Sequence, residues 1–492
     1  EMAFGENYYF LASILTGLAK TSAGQAKFAQ AVAYLVRANA ILEHTLNLNL
    51  AIGSERQKLA YLERLPEQWN RAISLHVRFA ADDPLARELA VTTVLQHKGR
   101  VQDALSNSLA ALRNRLSAAD QALLDQLNQV TAQLAQLVLN GPQDRTPAEY
   151  QKQIQALEEQ REKLESEVSR RSAGFYQQRQ PVTVDVVRAA MPENAALVEL
   201  AVFRPLIPQA GGNEKAFDEP HYAAYVVRRQ GEVQWKELGS AKAIDEAVDD
   251  LRKALRDPKR KDAQQLARIV DEKVMQPLRR SLGDATQLII SPDGALNLIP
   301  FEALVDEQNR FLIERYSFSY VTSGRDLLRL QVPRPNQREA LVFADPLFGE
   351  PEAMQIVKAG ARKVNQVALN RRRQSVTTGA DLSNVYFAPL SGTEQEAQSI
   401  RSLFPEATVM MGTQATETWL KQTVAPRILH IATHGFFLTD TPASSSDEEG
   451  ETTRAINAKV KVENPMLRSG LALAGANLRK SGDDDGILTA LE

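Results

Sequence analysis

Two histidines, His430 and His434, stand in the run RILHIATHGFFL that begins at Arg427. On a helix, this spacing puts both rings on one face and could hold zinc. That reading needs a Glu after the first His and a third ligand. Here Ile428, Leu429, Ile431 and Thr433 favour a strand, and no Glu lies nearby. No metal and no cofactor are expected. Instead, a short β-branched run ends in Ala432-Thr433-His434-Gly435. That presents an imidazole at the carboxyl end of a buried parallel strand, the side of an open α/β sheet where ligands bind. Imidazole suits general-base work because it titrates near neutrality. Gly435 would free the backbone for an unusual turn and a close-approaching N–H. His430, inside the strand, reads as a packed core histidine. On the residues alone, His434 is either a catalytic base or a buried structural histidine.

The nucleophile such a base would serve is not evident. The chain contains no cysteine, which excludes disulfides, thiolate metal sites and a thiol nucleophile within these residues. A serine nucleophile is expected on a strained Gly-x-Ser-x-Gly turn, and none occurs. Ser391 in PLSGTEQEA and Ser469 in RSGLALAG are the serines in suggestive settings. Ser391 reads more simply as a cap for a helix over 393–403.

The elements that would position His434 follow from periodicity. Residues 5–175 are rich in Leu, Ala and Gln at helical spacing. Phe28, Ala31, Leu35, Ala38 and Leu42 mark one amphipathic helix. A helix is also expected over 54–76, and a helix or helix pair over 84–115, starting at Asp83-Pro84. Leu123, Leu127, Val130, Leu134 and Leu137 form a stripe stopped by Asn140-Gly141-Pro142. Thr146-Pro147-Ala148-Glu149 reads as a cap, an N1 proline and a capping-box Glu. The seam Ile154, Leu157, Leu164, Val168 follows, broken by Arg161. Together they predict a long helical hairpin over about 120–172. A tetratricopeptide array would repeat every ~34 residues; at most one degenerate pair, near 6–50, fits. The character changes at Pro181. Residues 195–203, 222–229 and 233–238 read as strands, the last two as a hairpin across Gln230-Gly231. Helices over 241–256 and 261–280 follow. Short apolar runs at 288–291, 340–345, 407–411 and 428–433 then alternate with helical patterns at 393–403 and 414–422. This implies a mainly parallel sheet. Residues 440–463 carry no apolar pattern and are expected to be a mobile loop. The sequence thus divides into a helical region, 1–178, and an α/β region, 181–492.

The net charge of −3 argues against binding nucleic acid or an acidic membrane surface. No apolar run is long enough to span a bilayer. A cytoplasmic location is expected. Residue 1 is Glu, and the last residues, GILTALE, resemble the start of a helix, so both ends read as cut points within a longer protein.

Several segments together resemble the CHAT domain, the caspase-like domain often attached to tetratricopeptide repeats. They are LIISPDGALNLIPFEAL (288–304), FLIERYSFSYVTSGRDL (311–327), PLSGTEQEA (389–397), ILHIATHGFF (428–437), NPMLRSGLALAGAN (464–477) and DDGILTALE (484–492). The resemblance covers about 180–492. It implies an incomplete caspase-like α/β fold, preceded by all-α helical-repeat and helical-hairpin material. It also implies membership of the caspase, separase and gingipain group of cysteine peptidases. That group has a His-Gly pair after one strand, matched by His434 and Gly435, and a Cys after the next parallel strand. The Cys normally follows the GILTA segment by a few tens of residues, beyond Glu492. His434 would then assist proton transfer with that thiol, and Gly435 N–H would stabilise the oxyanion. Asp484 and Asp485 would be acids of a pocket for a basic P1 side chain, or a solvated turn with a helix cap. The partners implied are a protein or peptide substrate, and protein partners at the helical region. A non-catalytic scaffold with a degenerate caspase-like domain is the alternative.

Overall fold

The computed structural model describes residues 9–63, 68–101, 104, 117–140, 143–176, 181–207, 216–257, 259–331, 339–349, 386–390, 392–437, 469–481, 484–490 and 492. It contains two compact units, 1–115 with 166–333, and 116–165 with 334–492. This grouping does not follow the change of character at Pro181.

The reason lies in the first unit's sheet. Strands β1 (Ala195–Phe203), β2 (His221–Arg228), β3 (Gln234–Ser240), β4 (Gln287–Ser291) and β5 (Ser317–Tyr320) lie in the order β3-β2-β1-β4-β5. β1, β4 and β5 run parallel, and β1, β2 and β3 run antiparallel. The sheet is therefore mixed, with the expected β2–β3 hairpin at one edge. β1 and β2 are apolar on both faces, so both faces need cover. Ala196, Val198, Leu200, Tyr222, Ala224 and Val226 pack with Ile244, Val248, Leu251 and Val270, from the helices Ala241–Arg256 and Ala263–Val274. Leu197, Ala201, Ala223, Tyr225 and Val227 alternate to the other face. They pack with Ile73, Val91, Val94 and Leu95 from helices Gln68–Ser74 and Pro84–His97. Helices early in the chain thus supply one wall of this core.

Among the described residues before 177, every element is helical. Helices Tyr9–Gly24 and Phe28–Leu50 form an antiparallel pair through Ala12, Leu15, Ala19 and Ala23 against Ala31, Leu35, Ala38 and Leu42. The region expected as one helix over 54–76 is Glu55–Glu63, then Gln68–Ser74, then a π-helical turn Leu75–Phe79. Asp83 caps the next helix, accepting the N–H groups of Leu85 (2.8 Å) and Ala86 (3.4 Å). That helix ends at His97, and Arg100, Val101 and Ala104 are helical again, as the helix-pair reading of 84–115 allowed. Lys98 turns to extended backbone, and Gly99 adopts φ +63°. At this break the Lys98 side chain reaches into the first unit's sheet. Lys98 Nζ donates to Glu199 Oε2 (3.2 Å), Leu200 O (3.0 Å) and Ser291 O (2.9 Å), satisfying a carboxylate buried inside β1.

In the second unit, β6 (Leu341–Pro346) lies between β7 (Thr408–Gly412) and β8 (Leu429–Ala432), parallel to both. Of the four runs expected to make a mainly parallel sheet, 340–345, 407–411 and 428–433 form this one, whereas 288–291 is β4 of the first unit's mixed sheet. Ala340, Val342 and Ala344 face Ala397 of helix Thr393–Leu403. Leu341 and Phe343 face Ala415 and Leu420. A separate antiparallel sheet, order β11-β10-β9, joins β9 (Gly435–Phe437), β10 (Ser469–Ala472) and β11 (Ile487–Thr489). GILTA, expected to start a helix, supplies β11. Its β-branched Ile487 and Thr489 are both buried against the sheet.

The helical hairpin comprises Ala118–Asn140 and Pro147–Tyr176. Leu123, Leu127, Val130 and Leu134 are buried, and Tyr150 Oη donates to Leu137 O (3.3 Å). The capping box is formed: Glu149 N–H donates to Thr146 Oγ1 (3.3 Å) and Thr146 N–H to Glu149 Oε2 (3.0 Å). Arg161 interrupts the seam as a buried ion pair with Glu165 (3.0 Å).

Candidate functional site

His434 lies where the chain leaves one sheet and enters another. β8 ends at Ala432, in register with Ala344 of the central strand β6. Two residues later β9 begins, paired to β10. Thr433 and His434 are the whole of the connection. Ala472 N–H donates to His434 O (2.9 Å), and Thr433 Oγ1 donates to Ala472 O. The backbone at His434 is therefore tied to β10, two residues past the last pair of β8 with β6.

The imidazole is half-buried. Its Nε2 lies 2.6 Å from Ala388 O. A carbonyl can only accept, so Nε2 carries the proton in this contact and Nδ1 of the neutral ring is the basic nitrogen. Phe348 and Phe387 flank the ring, with centroids at 5.3 Å and 5.8 Å. Both phenylalanines are buried, packed with Phe436.

Gly435 is exposed. It is paired with Leu471, next to the bond between Ala472 N–H and His434 O. Antiparallel ladders alternate bonded and non-bonded pairs, so Gly435 occupies a non-bonded pair and its N–H points out of the ladder. The expected reason for a glycine here needs correction. Gly435 is absent from the left-handed residues, and an added Cβ would meet nothing closer than 3.9 Å. What it presents is an N–H pointing out of the ladder, not an unusual turn.

His430 also differs from expectation. It is not packed in a core; its side chain is 31% exposed, with Nε2 3.1 Å from Glu396 Oε1 on the helix over β6. β8 is an edge strand, and Leu429, His430 and Ile431 along it all keep some exposure.

Asp484 and Asp485 lie beside β11, within a group of charges around Lys421. Lys421 Nζ reaches Glu417 (2.7 Å), Glu492 (2.7 Å) and Asp484 (3.1 Å). Asp484 also accepts the Thr418 hydroxyl at 2.5 Å. Asp485 is buried and accepts Ile487 N–H at 2.9 Å. Burial, then the neighbouring Glu417, pushes its carboxyl up to about 6. Burial pushes Glu417 up to about 7, against the pull of Lys421. Both aspartates have partners inside the protein, and no hydrogen bond or ion pair links either to His434 among the described residues.

Ser469 starts β10 opposite Phe437. Ser391 and the expected loop 440–463 lie outside the described residues. Among the described residues, no group of three or more His, Cys, Asp or Glu side chains could hold a metal ion, and no helix is long and apolar enough to cross a membrane.

Sequence reasoning missed three parts of this site. Ala388 acts through its carbonyl, which every residue has. Phe348 and Phe387 read as ordinary apolar residues. Asn477 bonds both the N–H and the C=O of Phe387, and only its place at the end of LAGAN could have marked it.

Residues 261–492 match the CHAT domain. This family is related to the caspase-like cysteine peptidases. No curated protein matches the chain. The CHAT match spans β4 and β5 of the first unit and residues 334–492 of the second. It begins later than residue 180, where the resemblance was expected to start. The His434–Gly435 junction and the Asp484–Asp485 segment both fall inside it.

Proposed function

We propose that the chain carries the histidine half of a caspase-like cysteine peptidase site, with His434 as the base of a Cys-His dyad. The observation that carries this reading is the bond from His434 Nε2 to Ala388 O at 2.6 Å. It leaves Nδ1 as the proton acceptor at the carboxyl edge of a parallel sheet. The 492 residues include no cysteine, so on this reading the thiol would come from outside them. By the family's order, it would follow a further strand beside β8.

The reaction would run as follows. The thiol sulfur attacks the scissile carbonyl carbon while its proton passes to Nδ1 of His434. The carbonyl oxygen becomes an oxyanion, stabilised by Gly435 N–H. As the C–N bond breaks, the Nδ1 proton moves to the leaving amine, giving a thioester. Water then attacks the thioester, losing a proton to Nδ1, and returns the thiol. Asp484, 16% exposed at its side chain, is the more accessible acid for a basic P1 side chain, which would compete with Lys421 for it. The protein-facing role proposed for the helices rests on the antiparallel pair Tyr9–Gly24 and Phe28–Leu50.

The test is to express residues 1–492 alone and joined to any segment encoded after Glu492, and to assay both on a peptide panel. Cleavage only in the joined form, abolished by His434→Ala at unchanged Tm, is the expected result. Cleavage by the cysteine-free chain would overturn the thiol mechanism. A joined segment with no cysteine after its first strand would favour the second reading, a scaffold that binds proteins through its helices.

A further inference from the structure

We propose that Asn477 is a positioning residue for His434, acting through the peptide unit that joins Phe387 to Ala388. The inference rests on His434 serving as a base, and names what fixes its tautomer.

The Ala388 carbonyl is the partner of His434 Nε2. It belongs to residues 386–390, a stretch with no helix or strand of its own. A backbone carbonyl aims a histidine only if something else holds that backbone. Asn477 does so from three sides. Its Oδ1 accepts Phe387 N–H at 2.8 Å, and its Nδ2 donates to Phe387 O at 2.8 Å. The second Nδ2 proton reaches Gly349 O at 2.9 Å, in the segment that follows β6. One amide group thus ties the residue preceding Ala388 to the chain just past the central strand. The orientation of the amide is unambiguous, because its oxygen faces an N–H and its nitrogen faces two carbonyls.

Asn477 is itself anchored. Its own N–H donates to Phe348 O at 2.9 Å. It follows Gly475, whose φ of +85° and closeness to Lys480 O leave no room for a Cβ. The neighbours it fixes, Phe348 and Phe387, are the two rings that flank the imidazole. Asn477 therefore holds both the acceptor for Nε2 and the aromatic walls of the ring.

The chemistry requires an amide. The site asks one side chain for one acceptor and two donors. Aspartate keeps the acceptor and turns a second oxygen toward two carbonyls. Alanine supplies nothing. In either variant the Ala388 carbonyl is released, Nε2 loses its fixed partner, and the proton redistributes between the two ring nitrogens. A role limited to holding the fold would alter stability and leave the tautomer unchanged.

Nitrogen-15 spectra of the 492-residue chain labelled at histidine make the test, with the His434 signals assigned by their loss in His434→Ala. In the wild type, Nε2 is expected to be protonated and Nδ1 bare. In Asn477→Ala and Asn477→Asp, the slowly exchanging Nε2–H signal is lost and the two nitrogen shifts move toward each other. The other histidine signals stay in place. A folded variant that keeps the wild-type tautomer and the Nε2–H signal overturns the proposal. Should both variants fail to fold, wild-type hydrogen exchange decides. The His434 Nε2–H and the Asn477 Nδ2 protons should exchange through one opening, within about tenfold of each other. Exchange of Nε2–H much faster than that removes the link. No arm of this test depends on cleavage. A chain that meets these outcomes but gains no peptidase activity when joined to any segment encoded after Glu492 would refute the dyad alone.

Discussion

Lys98 answers the one charge that β1 buries within the first unit's sheet. Its ammonium is the counter-ion of Glu199, a carboxylate in the middle of β1. Removing one member of such a pair leaves a buried charge unpaired, which costs about 3–5 kcal/mol. Lys98→Met is therefore expected to destabilise the first unit by that amount in urea unfolding. Adding Glu199→Met should recover most of the loss, and failure to recover it would mean that Lys98 acts by shape rather than charge. Residue-scale chemistry was only partly legible in the sequence. His434 could be read from its type and its place after a β-branched run. Lys98 could not, because its partner is about a hundred residues away in the chain and its surroundings look like ordinary helix. Asp484 and Asp485 were visible as acids. That Lys421 already engages Asp484 followed only from folding the helix Glu417–Lys421 against β11.

At the scale of elements, local signals did better than pairing signals. The capping box at Thr146 and Glu149 formed as read, since every atom in it lies within four residues. Thr146→Ala should cost the hairpin about 1 kcal/mol, read as earlier fraying of the Thr146–Tyr150 amides in hydrogen exchange. Protection equal to that of the wild type would show that the cap contributes nothing there. The runs at 340–345, 407–411 and 428–433 were likewise recognisable as strands from their own composition. Their order, with the earliest strand in the centre, was not, because register depends on partners far away in sequence. GILTA shows the limit of periodicity. Five residues of that kind suit a helix start or a strand, and the open edge of β10 decided for strand.

At the scale of the molecule, the two units should respond oppositely to acid. In the first, burial lowers His76 and His97 from 6.5 to about 4. The unfolded chain takes those protons first, so this stability is present above about 6.5 and lost as pH falls toward 4. Asp271, pushed up to about 6 by burial, works against the trend, but Arg268 and Arg279 hold it as an ion pair and limit its part. In the second unit, Glu417 and Asp485 are raised to about 7 and about 6. There the folded state binds the protons first, so the stability is present below about 4 and lost as pH rises through 6 to 7. Between pH 7 and 5 the first unit should lose on the order of 1–3 kcal/mol and the second gain a similar amount. Trp69 and Trp235 report on the first unit and Trp419 on the second, so fluorescence of single-unit tryptophan variants separates them. Parallel shifts of both transitions would refute the assignment, and Glu417→Gln should flatten the second unit's slope. The division into units was the least legible feature of all. It depends on helices near residues 73 and 94 covering a sheet that starts at residue 195, and no local pattern announces that debt.

The two-residue junction at Thr433 and His434 also has a consequence in time. β8 joins a partner about ninety residues earlier in the chain, β9 one about thirty-five residues later, and distant contacts of this sort form slowly. The imidazole has no settled address until both ladders have closed around it. During folding, then, the chain acquires its histidine's aim late, and an incompletely folded copy carries a ring that points nowhere in particular.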